Sequence, residues 1–174
     1  MITKYKIFEG LKLLPQLESI SWDILSDQYT KEIVKWRNDI DNRQFFESQE
    51  EVTEDSQRNF LMNYDKYDRV DLVLLYNKLP VGVFNIKNLN TFPEYGSLIG
   101  EKQYRGKRLG ALAKSLIFSL WFEILGQDEL YLKNRKNNTK VLDSNNKRGY
   151  SIFEEDEEYI TFKVDKKSYI RNKE

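Results

Sequence analysis

The chain has 174 residues, 40% of them hydrophobic, which is enough to build one ordinary domain with its own core. Lys and Arg together number 28, as do Asp and Glu, so the formal net charge is zero and no broad basic field points to nucleic acid or an anionic membrane. The absence of Cys excludes a thiol nucleophile, a disulfide framework and a zinc–thiolate site, while the absence of His excludes Ser-His-Asp hydrolysis and leaves acid–base work to carboxylates, Tyr, Lys or water.

The N-terminal half is predicted to begin with helices and continue with strands. After an irregular or short-stranded entry, the segment 30–38 has apolar residues at helical spacing, and a second helix begins near Thr53. Residues 70–76 and 81–87 form a hairpin about a turn at 77–80, and residues 93–99 form a third strand.

The C-terminal half is predicted to begin with a long amphipathic helix. Apolar residues from Leu109 to Ile124 follow the i, i+3, i+4, i+7 rhythm, and Gly126 ends the helix. A short strand at 130–133, a helix at 138–148 and a hairpin of 152–154 with 159–164 follow. The order predicts one α/β domain over residues 1–174, with a mixed, mostly antiparallel sheet flanked by helices. The charged tail 166–174 is expected to fray.

Nothing in the sequence indicates export or membrane insertion. The first ten residues lack the features of a signal peptide, and no stretch approaches about eighteen apolar residues. We therefore expect a cytoplasmic protein.

A strand that runs into a glycine-containing basic loop, and then into the long helix, carries the chemistry of this sequence. The loop and helix start, residues 105–111, read Arg-Gly-Lys-Arg-Leu-Gly-Ala. Backbone N–H groups at a helix N-terminus are unpaired and partly positive, and Gly106 and Gly110 let them approach a diphosphate closely. The spacing alone leaves open a second interpretation, a tight strand-to-helix turn with solvated basic residues.

This segment resembles the acyl-CoA pyrophosphate motif of the GNAT N-acyltransferases, usually written Gln/Arg-x-x-Gly-x-Gly/Ala. Gly110 keeps the second glycine of the motif, whereas Arg108 stands at the first, where an ordinary helical φ would let its side chain point away or onto a phosphate. The resemblance implies the GNAT fold, whose splayed strands form an acyl-CoA cleft, with acetyl-CoA or another acyl-CoA as co-substrate. The CoA-binding residues it implies are Leu98, Ile99, Gly100, Arg105, Gly106, Lys107, Arg108, Leu109, Gly110, Ala111, Asn138 and Asn145.

Residues 138–150 resemble a second GNAT segment, Asn-x-x-(Ala/Ser)-x-x-x-Tyr-x-(Lys/Arg)-x-Gly-Phe. Asn138, Gly149 and Tyr150 match it in register. The family's tyrosine, often the acid that reprotonates the leaving CoA thiolate, falls on Asn145. Water or another tyrosine then takes that role, or the thiolate leaves unprotonated while Asn145 hydrogen-bonds near the sulfur; alternatively, Asn145 is a plain surface-facing helix residue.

Residues 35–46 resemble the Trp-Arg-Asn signature of one GNAT branch, which includes acetyltransferases of amino-sugar nucleotides, ribosomal proteins, spermidine and some antibiotics. The resemblance implies an acceptor cleft lined by Trp36, Arg37, Asn38, Phe45 and Glu94. Taken alone, Trp36 indicates a core residue and Arg37 a solvated or paired cation.

The reaction needs a base that strips the amine of its proton, and this chain must supply it without histidine. Glu94 is the first candidate because it lies on the strand that leads into the CoA loop; Glu101 is the second and a water chain the third. Alternatively, either carboxylate is an exposed structural group. Glu94, Glu101 and Asn145 are thus the predicted catalytic residues.

We therefore predict an acyl-CoA-dependent N-acetyltransferase that uses direct attack in a ternary complex. The expected acceptor is a small-molecule amine on a nucleotide-linked amino sugar, in bacterial surface-glycan biosynthesis, and a homodimer is compatible with the sequence. Alternatives are acetylation of a protein N-terminus, polyamine or aminoglycoside, or a non-catalytic CoA-binding domain. No metal and no nucleic-acid or membrane partner is implied.

Overall fold

Seven strands form a single sheet in the order β1-β2-β3-β4-β5-β7-β6, in a computed structural model that describes residues 1–173. The strands are β1 (Ile20–Ile24), β2 (Arg69–Tyr76), β3 (Leu79–Lys87), β4 (Glu94–Ile99), β5 (Glu129–Arg135), β6 (Ser151–Glu155) and β7 (Tyr159–Asp165). The helices are α1 (Lys4–Leu11), α2 (Thr30–Asn38), α3 (Ile40–Arg43), α4 (Glu54–Met62), α5 (Leu109–Ser119), α6 (Thr139–Lys147) and α7 (Lys166–Lys173). Three single turns of 3₁₀-helix lie at Asp27–Tyr29, Tyr64–Lys66 and Lys102–Tyr104.

The sheet is antiparallel except at its centre, where β4 and β5 run parallel. The predicted mixed, mostly antiparallel sheet with flanking helices is confirmed. The hairpin of β2 and β3 turns at Asn77 and Lys78, which both have positive φ, as the primed turns of two-residue hairpins require.

Each face of the sheet has its own apolar cluster, because side chains alternate along a strand. On one face Val73 is buried together with Ile33 and Trp36 of α2. On the other, Phe84 and Phe162 pack with the long helix α5 and with α1. Consequently α2 lies on the opposite side of the sheet from α5.

The long helix is confirmed at its start and differs at its end. It begins at Leu109, but after Ser119 the chain continues as a π-helical turn over Leu120–Ile124 before Gly126 ends it with φ +66°. All three residues at the start of this turn, Leu120, Trp121 and Phe122, are buried, so the wider turn keeps the apolar run facing the core.

Both ends of the described chain contain helices that the sequence analysis did not predict. Residues 4–11 form α1 instead of an irregular or short-stranded entry, and the Thr3 side chain caps this helix while Ile7 is fully buried. Residues 166–173 form α7, whose Tyr169 stacks on Phe122 with ring centroids 4.8 Å apart. Glu174 lies outside the described residues.

Within residues 1–173, no helix has the length and apolar character needed to cross a membrane.

Candidate active site

An opening between β4 and β5 lies at the centre of the sheet, where the two strands stop pairing. Among the described residues, these two strands pair in register only at Glu94 and Tyr131, and the Tyr131 N–H donates to the Pro93 carbonyl at 2.8 Å. Because the strands run parallel and separate after this point, their C-terminal halves diverge. Beyond this pair, the backbone groups of β4 that face β5 are therefore available to a ligand, except the Ile99 carbonyl, which accepts from Arg105.

The loop after β4 is held in place by Arg105, which the sequence analysis assigned to CoA. Its guanidinium donates to the carbonyls of Ile99 at 3.0 Å and Gly100 at 2.8 Å, and it forms an ion pair with Asp39 at 3.2 Å. The Arg105 side chain thus shapes the loop and is not free to reach a phosphate, so only its backbone can take the predicted role.

Arg108 has a left-handed backbone conformation, with φ +61°, immediately before α5 begins. This conformation replaces the ordinary helical φ that was considered for Arg108. Gly106, with φ +74°, adopts the same left-handed region, so the loop has positive φ both at this glycine and at the arginine that stands at the first glycine of the motif. Lys107 and Arg108 are both exposed, and the first N–H groups of α5 point into the same space.

Two residues assigned to CoA contact the protein interior instead. Leu109 is 7% exposed and belongs to the core. A Cβ on Gly110 would lie 3.2 Å from the Ile99 side chain, so this glycine lets the start of α5 pack closely against the end of β4. Ala111 is exposed at the helix start, and Asn138 caps α6 through its backbone carbonyl, which accepts from Val141 and Leu142.

The residue at the family's tyrosine position, Asn145, faces the interior and not the surface. It is 1% exposed, and its amide oxygen and nitrogen have no hydrogen-bond partner among residues 1–173. The Tyr95 hydroxyl on β4 is likewise buried and unpaired within the described chain. Buried polar atoms without partners are costly, which makes them indicators of a ligand that completes their hydrogen bonds.

On the other face of the sheet, Trp36 and Glu101 join α2 to the loop after β4. Trp36 is 1% exposed and donates to Glu101 at 2.9 Å, and a Cβ on Gly100 would overlap its ring. Lys35 also donates to Glu101, at 2.7 Å, and the hydrogen bonds from Lys35 and Trp36 lower the pKa of Glu101. The structure therefore places Trp36 in the core and gives Glu101 a structural role, in place of the predicted cleft-lining and basic roles.

Arg37, the second member of the Trp-Arg-Asn signature, is half-buried against Phe46. Its guanidinium lies 4.7 Å from the ring centre of Phe46, and its Nε atom is buried with no partner in the part of the chain described. Desolvation lowers the pKa of Arg37, and nearby Arg69 adds to the effect while Asp71 opposes it. Asn38 instead exchanges two hydrogen bonds with the backbone of Val52, at 2.7 and 2.8 Å, and is fully used there.

Glu94 lies at the root of the opening within a network of charges. It pairs with Lys87 at 2.8 Å and is 14% exposed at its side chain. Glu47 in turn pairs with Lys133 at 2.7 Å, and Arg135 donates to the Phe46 carbonyl at 2.8 Å. These strand cations could not be assigned from sequence, because their position depends on the register that sets Lys87 opposite Glu94.

Phe45 is the residue of the Phe45–Phe46 pair that was predicted to line the acceptor cleft, but its neighbour Phe46 makes the contact with Arg37. Phe45 is half-buried, and its backbone N–H donates to Asn42. Among the described residues, no group of three or more carboxylates has the arrangement of a metal site.

No protein-family model matches the sequence, and no curated protein is similar to it in sequence. Solved structures are similar in fold. A domain from Methanocaldococcus jannaschii is 25% identical, with a TM-score of 0.72 over 84% of this chain and 97% of that one. A protein described as a nucleotide-linked sugar GNAT is 19% identical, with a TM-score of 0.73 over 92% and 94%. A spermidine N-acetyltransferase from Vibrio cholerae, in complex with CoA and spermine, is 14% identical, with a TM-score of 0.72 over 88% and 99%.

Proposed function

We propose that this chain, which has the fold of the GNAT acetyltransferases, transfers an acetyl group from acetyl-CoA to the amine of a nucleotide-linked amino sugar. The observation that carries the proposal is the opening between β4 and β5, which leads from Glu94 to the N-terminus of α5. An acid–base group, strand backbone that β5 does not pair and an anion-binding helix start thus follow one another along β4 and the loop after it.

The residues along this cleft fit an acyl-CoA. Exposed Lys107 and Arg108, with the first N–H groups of α5, suit a diphosphate. The Ile99 N–H, on the β5 side of β4, suits an amide group of a pantetheine arm, which would pair with β4 as a neighbouring strand does, whereas Leu98 is in register with Val83 of β3. The unpaired amide of Asn145 and hydroxyl of Tyr95 supply further partners inside the cleft.

A carboxylate and the strand backbone of this chain serve the attack on the thioester. In the proposed reaction Glu94 accepts the proton of the attacking amine, since its side chain lies at the root of the cleft and Glu101 is committed to Lys35 and Trp36. Backbone N–H groups of β4 stabilise the developing oxyanion. The attack is direct, because the chain has no cysteine and its geometry presents no activated nucleophile.

The charges on the acceptor side favour an anionic acceptor over a polyamine. Lys87, Lys133, Arg135 and Arg37 all lie near the Phe46–Glu47 segment, whereas a polycation would need an excess of carboxylates there. The buried Nε of Arg37 offers a donor that no protein group uses within residues 1–173, and the ring of Phe46 provides an apolar surface beside it. A phosphate with an attached sugar ring matches this combination.

A thiol-release assay with acetyl-CoA tests the proposal directly. The panel comprises amino-sugar nucleotides, polyamines, aminoglycosides and peptides with a free N-terminus. We expect release with an amino-sugar nucleotide alone. Release only with another class would refute the acceptor assignment, and silence throughout, with CoA binding measured by calorimetry, would favour a non-catalytic CoA-binding domain.

A further inference from the structure

The lysine at position 114 in α5 has no assigned role, although its ammonium group lies beside Tyr95, whose hydroxyl is unpaired among the described residues. Its ammonium nitrogen is 5.9 Å from the ring centre of Tyr95 on β4 and 5.6 Å from that of Tyr150, which follows α6. The backbone N–H of Tyr150 donates to the carbonyl of Asn145. Lys114 of α5 thus lies between Tyr95 of β4 and Tyr150, the residue whose backbone is bonded to Asn145 of α6.

No group in the described chain neutralises this ammonium. Lys114 forms neither an ion pair nor a hydrogen bond within residues 1–173. Its nitrogen lies among the rings of Tyr95, Phe118 and Tyr150. The nearby charge is that of Arg148, directly after α6, which repels the ammonium. Burial raises the pKa of both tyrosines, so neither becomes an anion near neutral pH. Aromatic faces attract a cation but do not replace a counter-ion.

We propose that Lys114 is the acid that protonates the departing thiolate, the role that the family resemblance gives to a tyrosine at position 145. This inference rests on the proposed function. As the bond between the amine nitrogen and the acyl carbon forms, the carbon–sulfur bond breaks and its electron pair goes to sulfur. The Lys114 ammonium gives one proton to sulfur, which leaves CoA as a thiol and the lysine as a neutral amine. Glu94 holds the proton lost by the attacking amine, and solvent returns one proton to Lys114.

The other two groups of the cleft are poorer donors. The amide of Asn145 has no acidic proton, and burial makes the Tyr95 hydroxyl less acidic than usual. Burial, with repulsion from Arg148, lowers the pKa of Lys114 to about 8, close to the value of about 8.5 for an ordinary thiol. Proton transfer between groups of matched pKa is the condition under which general acid catalysis is most effective.

Two substitutions separate proton donation from charge. Lys114→Met removes both, whereas Lys114→Arg keeps a cation that gives up no proton near neutral pH. Lys167→Met is the matched control, because Lys167 is an exposed lysine at the start of α7. Circular dichroism and thermal unfolding first establish that each variant folds.

Steady-state kinetics provide the first readout. We expect Lys114→Met and Lys114→Arg to lower kcat at least about 100-fold, as loss of a general acid does, with the acyl-CoA KM changed less than about threefold. The control should match the wild type. A kcat within about threefold of the wild type in Lys114→Met would overturn the inference.

The ultraviolet absorbance of the bound CoA thiolate gives a second readout that does not depend on turnover. A nearby ammonium should lower the pKa of the bound thiol by about one unit relative to free CoA in the wild type and in Lys114→Arg, and this shift should vanish in Lys114→Met. An equal thiol pKa in the wild type and Lys114→Met would refute the contact with sulfur. A wild type that binds no CoA would overturn the proposed function together with this inference, whereas a wild type and a methionine variant with equal turnover would overturn the inference alone.

Discussion

The substitution Lys114→Met should make the protein more stable near neutral pH. Burial, with repulsion from Arg148, lowers the pKa of Lys114 from 10.5 to about 8. Each pKa unit corresponds to about 1.4 kcal/mol, so folding with this lysine charged costs about 3 kcal/mol. Methionine fills the space between the rings of Tyr95, Phe118 and Tyr150 without that cost.

The stabilisation should depend on pH in a defined direction. The unfolded lysine holds its proton up to pH 10.5, while the folded one loses it near pH 8, so the unfolded state binds more protons between these values. The wild type therefore recovers stability as pH rises through this window, whereas the penalty is fully present below pH 8. The gap between Lys114→Met and the wild type should shrink from about 3 kcal/mol at pH 7 towards zero above pH 10.

Urea unfolding at pH 7, 8.5 and 10, with Lys167→Met as the control, measures this gap. Other lysines and tyrosines titrate in the same range, but they do so equally in both proteins and cancel in the difference. A methionine variant less stable than the wild type at pH 7, or a gap independent of pH, would refute the reasoning. Together with a loss of kcat, a more stable variant would mean that the lysine is retained for its chemistry and not for folding.

Further substitutions test the loop and the acceptor side. Gly110→Asp should raise the Kd for CoA at least about tenfold in calorimetry, because it puts a carboxylate at the start of α5 and crowds Ile99. Arg108→Gly should stabilise the fold by about 1 kcal/mol in urea unfolding, since φ +61° favours glycine. Arg37→Ala should raise the acceptor KM at least about tenfold with little change for acetyl-CoA, whereas exposed Lys31→Ala should change neither. Asp71→Ala should lower the free energy of unfolding by about 3 kcal/mol in urea unfolding, because it leaves the half-buried Arg69 without its ion pair and the Tyr64 hydroxyl without its acceptor.

The regular elements of the core could be predicted because their periodic apolar patterns extend over many residues. The rhythm from Leu109 onward fixes the start of α5, and the alternating strands around the turn at residues 77–80 fix the central hairpin. The helices α1 and α7 could not be predicted in this way. Each has eight residues, too few for a clear period, and α7 depends on tertiary contacts such as Tyr169 on Phe122.

The motifs indicate a candidate site but not the contacts that each of its side chains makes. The signature of Trp36, Arg37 and Asn38 lies in one helix, where consecutive side chains point in different directions. Trp36 lies in the core, Arg37 lies against the Phe46 ring and Asn38 bonds to Val52. The role of Arg105 was equally hidden, because its partners are backbone carbonyls, which no sequence pattern identifies. The sequence does not distinguish Lys114 from other lysines, because one lysine in an amphipathic helix is usually solvated.

Alternation along β4 separates the two proton transfers of the proposed reaction. Glu94 and Tyr95 are consecutive residues of one strand, so their side chains lie on opposite faces of the sheet. Glu94 faces Lys87 and the acceptor side, and Tyr95 faces Lys114 and the side of α5. An amine that approaches from the first face would give up its proton there, while the thiolate would leave towards the second. The two strands β4 and β5 stop pairing directly beyond these residues. An acyl group bound between them would be within reach of both faces.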